Sequence, residues 1–128
     1  MSAPFWLSHH RADELHRTYA AGGLRICARC LGVYYAPVDE DYGLVPYEAF
    51  LSQKPVITAT DAGGPLDIVR DRETGLVVEP TVEELARACT WLREHEDEAR
   101  AFGRAGRDIA QAVTWDACIE RLLAAVTE

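Results

Sequence analysis

The fold is decided by residues 31–80, LGVYYAPVDEDYGLVPYEAFLSQKPVITATDAGGPLDIVRDRETGLVVEP. Three short runs in this stretch are rich in apolar, β-branched and aromatic residues, and a turn containing Pro or Gly follows each run. Such runs predict buried strands, here over residues 31–37, 55–60 and 74–79. Because helical patterns separate the runs, the strands should form one parallel sheet with right-handed crossover connections.

Helices complete the predicted architecture. Pro46 is well placed at the first position of one helix. Thr81 and Glu84 form a capping box at the start of a long amphipathic helix. Two more helices are predicted, over about residues 96–112 and from Thr114 onward, and a short one follows the glycines of DAGGP. The predicted fold class is therefore α/β: a partial Rossmann-like domain of about three parallel strands, flanked by four or five helices.

The composition limits the chain to one small globular domain. It has 128 residues, of which 48% are apolar and 27% charged, so it can bury a core. The formal net charge of −8 argues against a nucleic-acid groove and against an anionic membrane surface. The N-terminal sequence MSAPFWLSHHRADEL has the features of neither a signal peptide nor a transmembrane helix. We therefore predict no membrane span and a cytoplasmic location.

The four cysteines of such a chain are expected to be thiols or metal ligands. Cys27 and Cys30 form a C-x-x-C motif, with His9, His10 and His16 upstream. Thiolates and imidazoles at this spacing could close a tetrahedral zinc site. The alternative, which we favour, is a pair of cysteines at the start of a strand with solvated histidines nearby.

The other two cysteines, Cys89 and Cys118, lie on the apolar faces of predicted helices. Cys89 shares its face with Leu85, Ala88 and Leu92 at helical spacing. Both cysteines are predicted to be small core residues.

Glu40 and Glu48 are separated by seven residues in the stretch EDYGLVPYE. Glu40 follows the first predicted strand and Glu48 lies in the first turn of the next helix, so both can face one cleft. Carboxylates accept hydrogen bonds from the hydroxyls of a ribose or a hexose. Between them, Gly43 permits close backbone approach, and the amides of Gly43, Leu44 and Val45 lie where the helix begins and can bind a diphosphate. In the alternative interpretation, Glu48 only complements the helix dipole and Glu40 is solvated.

Further motifs follow in a fixed order. They are Glu-Ala-Phe at 48–50, Lys-Pro-Val-Ile-Thr at 54–58, Asp61, Gly63, Gly64, Ile68, Val69, Thr-Gly-Leu at 74–76, Pro80 and Thr114-Trp115. With the two glutamates, these motifs resemble the family 4 glycosyltransferases of the GT-B fold. The resemblance implies the C-terminal, donor-binding part of an enzyme that transfers a sugar, with retention, from a nucleotide diphosphate sugar and without a cofactor.

The same resemblance implies a role for each motif residue. The residue matching Glu48 holds the ribose of the nucleotide. The residue matching Glu40 lies against the donor sugar and is the catalytic candidate. The amides of residues 43–45 bind the diphosphate or the sugar, and Gly63 and Gly64 allow the backbone to approach the donor. Neither glutamate is expected to act as a general base, because the protein supplies positioning and electrostatics.

The chain also departs from the family pattern. The acceptor-binding domain is missing, as are the first strands of the donor-binding domain with their basic pair, which neither Arg25 nor Arg29 is assumed to replace. Lys54 stands where relatives usually have Gly, and Asp67 where they more often have Glu. The D-x-D pattern at residues 39–41, typical of a metal site in another glycosyltransferase fold, is interpreted as coincidental. We therefore expect a fragment that needs a partner chain or a homodimer for transfer.

Residues 1–30 are predicted to be a segment of separate, uncertain origin, joined to a donor-binding part over residues 31–128. They show no clean period, do not look like the missing strands, and resemble a family of small uncharacterised membrane proteins with a Cys-Ala-Arg-Cys motif. Two other functions stay open at this point. One is a non-catalytic nucleotide-sugar-binding or assembly subunit, and the other is a zinc-binding adaptor that uses Cys27 and Cys30.

Overall fold

The computed structural model describes residues 6–7 and 30–127. The strands are β1 (Trp6–Leu7), β2 (Val33–Tyr34), β3 (Val56–Ala59) and β4 (Gly75–Val78). The α-helices are α1 (Val45–Leu51), α2 (Val82–Glu94), α3 (Glu96–Gln111) and α4 (Trp115–Thr127), and a short 3₁₀ helix covers Gly64–Asp67.

The strands form one parallel sheet in the order β1-β2-β3-β4. Three of them fall within the predicted runs, and the helices flank the sheet, so the predicted α/β class and parallel arrangement are confirmed. β2 is shorter than its apolar run. The backbone pairing nevertheless continues one residue further, because the Tyr35 amide donates to the Ile57 carbonyl at 2.9 Å.

The fourth strand corrects a prediction. We expected no strand of this sheet within residues 1–30, yet Trp6 and Leu7 pair in parallel with Val33 and Tyr34. The physical reason is length, since the alternation that identifies a strand needs at least about four residues. A two-residue strand is specified by its partner, not by its own pattern.

Alternate residues of the sheet supply two core clusters, because successive side chains of a strand point to opposite faces. Val56 packs in one cluster and Ile57 in the other, and both are fully buried. The first cluster comprises Cys30, Val33, Ala49, Phe50, Val56, Ile68, Val69 and Ala110. The second comprises Ile57, Leu76, Ala88, Leu92, Ala99 and Phe102. The sheet is thus covered on both faces, as expected for a doubly wound fold.

Thr81 caps α2 as predicted, but the predicted capping box is incomplete, because the Thr81 amide donates to the Glu79 carbonyl and the Glu84 carboxylate pairs with Arg87. The Glu84 amide donates to the Thr81 hydroxyl oxygen at 3.3 Å. Ala88 and Leu92 are buried, and Cys89 is partly buried beside them. The predicted core face of this helix is therefore confirmed.

The turn after α1 is closed without a glycine. Gln53 adopts a left-handed conformation with φ +56°. The Lys54 amide then donates to the Ala49 carbonyl at 2.9 Å. Lys54 stands where relatives usually have Gly. It is accommodated because the residue before it, Gln53, adopts the left-handed conformation.

The apolar face of α4 is exposed, which corrects the prediction that Cys118 is a core residue. Cys118 is exposed, and the exposed fractions of Trp115 and Val126 are 84% and 83%. An amphipathic pattern identifies which face of a helix is apolar, but it does not show that another element covers that face.

Over the described residues, no helix is both long and apolar enough to cross a membrane.

Two buried threonines give a stability prediction. Thr58 and Thr74 are both wholly buried. Thr74 accepts a hydrogen bond from the Arg70 amide at 2.8 Å and donates one to the Ile68 carbonyl at 3.2 Å. The Thr58 hydroxyl has no hydrogen-bond partner among the described residues. We expect Thr58→Val to raise the free energy of unfolding by about 1 kcal/mol, because valine has the same shape without the polar atom.

Thr74→Val is the matched control for this prediction. It should lower the free energy of unfolding by about 1–3 kcal/mol, because it leaves the Arg70 amide without its partner. Urea denaturation followed by circular dichroism measures both variants. Equal losses of stability in the two variants would contradict the assignment of Thr58 as unsatisfied.

Candidate functional site

The loops that follow β2 and β3 are joined by backbone hydrogen bonds beyond the carboxyl end of the sheet. The Asp39 amide donates to the Asp61 carbonyl at 2.9 Å, and the Glu40 amide donates to the Ala62 carbonyl at 3.1 Å. The Gly64 amide donates back to the Glu40 carbonyl at 2.6 Å. The backbone of Glu40 is therefore fixed on both sides, at the edge where parallel α/β sheets bind their ligands.

Gly63 and Gly64 make this junction sterically feasible. Gly63 has φ +75°, and a Cβ atom there would lie 2.6 Å from the Glu40 carbonyl oxygen. A Cβ atom on Gly64 would lie 2.5 Å from the Asp41 carbonyl oxygen. The predicted glycine pair thus allows a close backbone approach, and the segment that approaches it is the loop carrying Glu40.

The Glu40 side chain is held by a residue that sequence reasoning missed. The Tyr35 hydroxyl donates a hydrogen bond to Glu40 Oε2 at 3.0 Å. Burial raises the pKa of Tyr35, and the hydrogen bond to Glu40 and the charge of Glu40 raise it further. The only signal in the sequence is that the two residues are five positions apart across a turn, and no periodic pattern marks such a pair.

The segment from Gly43 to Glu48 turns the chain into α1. Gly43 has φ +65°, and a Cβ atom there would lie 3.2 Å from the Tyr35 ring and 3.6 Å from Glu40 Cγ. Leu44 is the N-cap residue, and the helix begins at Val45. The Glu48 amide donates to the Leu44 carbonyl at 3.2 Å, which places Glu48 in the first turn, partly buried. The structure thus brings Glu40 and Gly43 into one packed unit, with Glu48 one turn beyond.

A pair of stacked tyrosines extends this unit. The Tyr42 and Tyr47 rings have centroids 5.5 Å apart and an interplanar angle of 14°. Burial raises the pKa of Tyr47 to about 12, with further contributions from its hydrogen bond with Tyr42 and from the charges of Tyr42 and Asp67. Asp67, the last residue of the 3₁₀ helix, therefore affects Tyr47 through its charge. From the sequence, Asp67 was noted only as a departure from the Glu of relatives, and the tyrosines were not identified.

The proposed zinc ligands are mostly outside the described residues, namely Cys27, His9, His10 and His16. Cys30 is described, and its side chain is only 4% exposed within the apolar core. In residues 30–127, no group of three or more His, Cys, Asp or Glu residues could hold a metal ion. The basic candidates Arg25 and Arg29 likewise lie outside the described residues.

Comparison with known proteins decides the family. Residues 6–109 match the model of the family described as "Glycosyl transferases group 1". This chain belongs to that family. The predicted relationship to glycosyltransferases is therefore confirmed, and the match covers most of the described residues.

Curated relatives of this group 1 glycosyl transferase chain are much longer than it is. Alpha-1,3/1,6-mannosyltransferase ALG2 from Mus musculus is 34% identical over 100 residues, which is 77% of this chain and 24% of that protein. Sucrose synthase from Acidithiobacillus caldus is 34% identical over 120 residues, which is 85% of this chain and 14% of that protein. The chain therefore spans a quarter or less of the length of these two relatives.

Solved structures support the same fold. Anabaena Alr3699/HepE, solved in complex with UDP-glucose, matches 96% of this chain and 40% of its own with a TM-score of 0.69 and 21% identity. Sucrose-phosphate synthase from Thermosynechococcus elongatus matches 90% of this chain and 34% of its own with a TM-score of 0.68 and 28% identity. The chain thus has the GT-B type of Rossmann-like architecture that its motifs predicted.

The family match also bears on the N-terminal segment. It begins at residue 6, where β1 begins, so it includes most of the segment assigned to a separate origin. The resemblance of this segment to small membrane proteins has no support in these comparisons. A division of the chain at residue 31 stays a prediction.

Proposed function

We propose that this chain binds a nucleotide diphosphate sugar, as the donor-binding part of a retaining glycosyltransferase. The observation that carries the proposal is the junction of the two loops, in which Gly63 and Gly64 fix the backbone of Glu40 at the carboxyl end of the sheet. Membership of the group 1 family supports it. So does the HepE fold, since that protein was solved with UDP and with UDP-glucose.

Each predicted donor residue has a chemical role in this proposal. Glu48 accepts hydrogen bonds from the ribose hydroxyls, and Glu40 accepts one from a hydroxyl of the donor sugar. The turn at Gly43, Leu44 and Val45 presents backbone amides to the diphosphate. Carboxylates beside a diphosphate repel it, so donor binding requires a cation that offsets this charge.

The proposed transfer retains configuration at the anomeric carbon. The bond from this carbon to the diphosphate oxygen breaks, and a bond to the acceptor oxygen forms on the same face. The acceptor proton passes to the departing phosphate oxygen, so no protein base is needed. Glu40 then contributes by orienting the sugar and by its charge. We propose that transfer also requires an acceptor-binding domain beside this donor-binding part.

Calorimetric titration with UDP, UDP-glucose, GDP and GDP-mannose tests donor binding. We expect the wild-type chain to bind the nucleotides of one base. Glu48→Ala should weaken the binding of nucleotide and nucleotide sugar alike, by about 10- to 100-fold, because the ribose is common to both.

Glu83→Ala is the control, since Glu83 is an exposed acidic residue in the first turn of another helix, α2. It should bind as the wild type does. If the wild-type chain bound none of the four compounds, or if Glu48→Ala bound them unchanged, the proposed donor site would be wrong.

A further inference from the structure

We propose that Tyr35 is a positioning residue for Glu40, whose carboxylate it holds in one orientation with Oε1 directed to the donor sugar. The inference rests on the proposed function, because it assigns a partner to the residue that is placed against the sugar. It concerns a contact within this chain, so it can also be tested without a ligand.

Tyr35 contacts the Glu40 carboxylate directly. The Tyr35 hydroxyl lies 3.0 Å from Glu40 Oε2, at the long end of the range for an O–H···O hydrogen bond. Among the described residues, no other hydrogen bond or ion pair is found for this carboxylate. Among the described residues, one oxygen is therefore engaged by the protein, and the other can accept a hydrogen bond from a ligand hydroxyl.

Tyr35 is itself held in place by its backbone and by its ring. Its amide donates to the Ile57 carbonyl at 2.9 Å, which fixes its backbone to β3. Its ring packs against the turn at Gly43, where any added Cβ would lie 3.2 Å from the ring and 3.2 Å from the Pro65 side chain. The hydroxyl is thus carried by a ring that the sheet and the turn hold in place.

Glu40 is held both at its backbone and at its carboxylate. Its backbone is held by the Ala62 carbonyl and the Gly64 amide, and its carboxylate by Tyr35. A glutamate side chain fixed in this way loses rotamer freedom when the chain folds. Less conformational entropy is therefore lost when a ligand binds. Preorganisation of this kind favours a tight and specific contact.

The protonation state of Tyr35 is consistent with this role. Burial raises the pKa of Tyr35 above its ordinary value, as do the hydrogen bond to Glu40 and the charge of Glu40. The hydroxyl therefore stays protonated at neutral pH and donates to the carboxylate, instead of becoming an anion that repels it.

Tyr35→Phe tests the positioning role, because it keeps the ring that packs on Gly43 and removes only the hydroxyl. We expect the affinity for the bound nucleotide sugar, UDP-glucose or GDP-mannose, to fall about tenfold. The affinity for UDP or GDP should stay within about twofold of the wild type, since these lack the sugar. A general structural effect would weaken both together, and that result would overturn the proposal.

Tyr34→Phe is the matched control for binding. Tyr34 is the neighbouring tyrosine, and its pKa is raised by burial and then by the charges of Asp61 and Cys89, with no contribution from Glu40. This variant should show no preferential loss of the sugar nucleotide. The same preferential loss in Tyr34→Phe would overturn the assignment to Tyr35.

A ligand-free titration tests the contact separately. Following the tyrosine Cζ resonances by carbon NMR, we expect the pKa of Tyr35 to fall in Glu40→Ala and to stay unchanged in Asp61→Ala. An unchanged Tyr35 pKa in Glu40→Ala would overturn the proposal, whatever the chain binds. If the wild-type chain binds no nucleotide sugar, the proposed function fails, and this titration alone decides whether Tyr35 holds Glu40.

Discussion

Gly103→Ala is expected to lower the free energy of unfolding by about 2–3 kcal/mol, although alanine is the better helix former. Gly103 lies within α3, where this helix packs on the turn after α1. A Cβ atom there would lie 2.1 Å from the Gln53 carbonyl oxygen and 3.0 Å from the Lys54 amide nitrogen. Since both atoms belong to the backbone, the two elements must separate to admit the methyl group.

Two effects of opposite sign compete in this variant. Helix propensity alone would stabilise it by roughly 0.5–1 kcal/mol. The overlap with a fixed carbonyl costs more, because Gln53 is already in a left-handed conformation and its turn is closed by the Lys54 amide. The overlap with the Gln53 carbonyl therefore decides the sign of the change in the free energy of unfolding.

Urea denaturation of Gly103→Ala and of Ala101→Gly provides the measurement and its control. Ala101 is an exposed residue of the same helix. Its replacement by glycine should cost about 1 kcal/mol from propensity alone. A stabilised Gly103→Ala protein would show that α3 does not lie as close to the turn as described.

The second large effect is expected for Gly63→Ala, which should lower the free energy of unfolding by roughly 3 kcal/mol. Gly63 has φ +75° and ψ −129°, a region that residues other than glycine rarely adopt. Its Cβ would also lie 2.6 Å from the oxygen and 2.8 Å from the nitrogen of Glu40. The loops after β2 and β3 would have to part. Because Glu40 moves with its loop, the affinity for the nucleotide sugar should fall by more than about tenfold.

Gly43→Ala separates the two causes of the lost stability, which are backbone strain at a positive φ and collision of the added Cβ with the backbone of Glu40. Gly43 also has a positive φ, +65°, but the atoms nearest to its added Cβ would be side-chain atoms, those of Pro65 and Tyr35 at 3.2 Å and of Glu40 at 3.6 Å. We expect a loss of about 1 kcal/mol, from backbone strain with little collision. Denaturation gives the two free energies, and amide chemical shifts of residues 39–41 report whether the loop has moved. Suppose that both variants lose the same free energy of unfolding and that Gly63→Ala leaves the amide chemical shifts unchanged. The proposed collision of the added Cβ with the Glu40 backbone would then be wrong.

The sequence predicted those parts of the fold that follow from local patterns. Val56 and Ile57 belong to an apolar run between turns, so a buried strand there could be expected. Thr81 and Glu84 predicted the start of α2 for a similar reason, since capping depends on residues three positions apart. The residues of the candidate site, such as Glu40 and Gly63, came from the spacing of motifs in a family, and their assigned roles stay predictions.

The features that were missed depend on contacts that form only in the folded chain, and local sequence periodicity does not describe such contacts. β1 has two residues, too few for a period, and it is defined by pairing with β2. The contact between Tyr35 and Glu40 requires the turn at Gly43 to bring them together, and no spacing rule describes that turn. Cys118 was placed in the core on the basis of helical periodicity, but periodicity says nothing about what covers a helix.

The strand order of the sheet has a consequence for how the chain folds. Among the described strands, every hydrogen-bonded pair is also consecutive in sequence order, so none of them has to enter between two that are already paired. Each added strand closes only the loop to its immediate predecessor, and the entropy of closing a loop grows slowly with its length. Contacts between sequence neighbours lower the contact order, which favours faster folding than a sheet whose neighbours are distant in sequence. The chain can therefore reach this topology by successive growth from one strand pair.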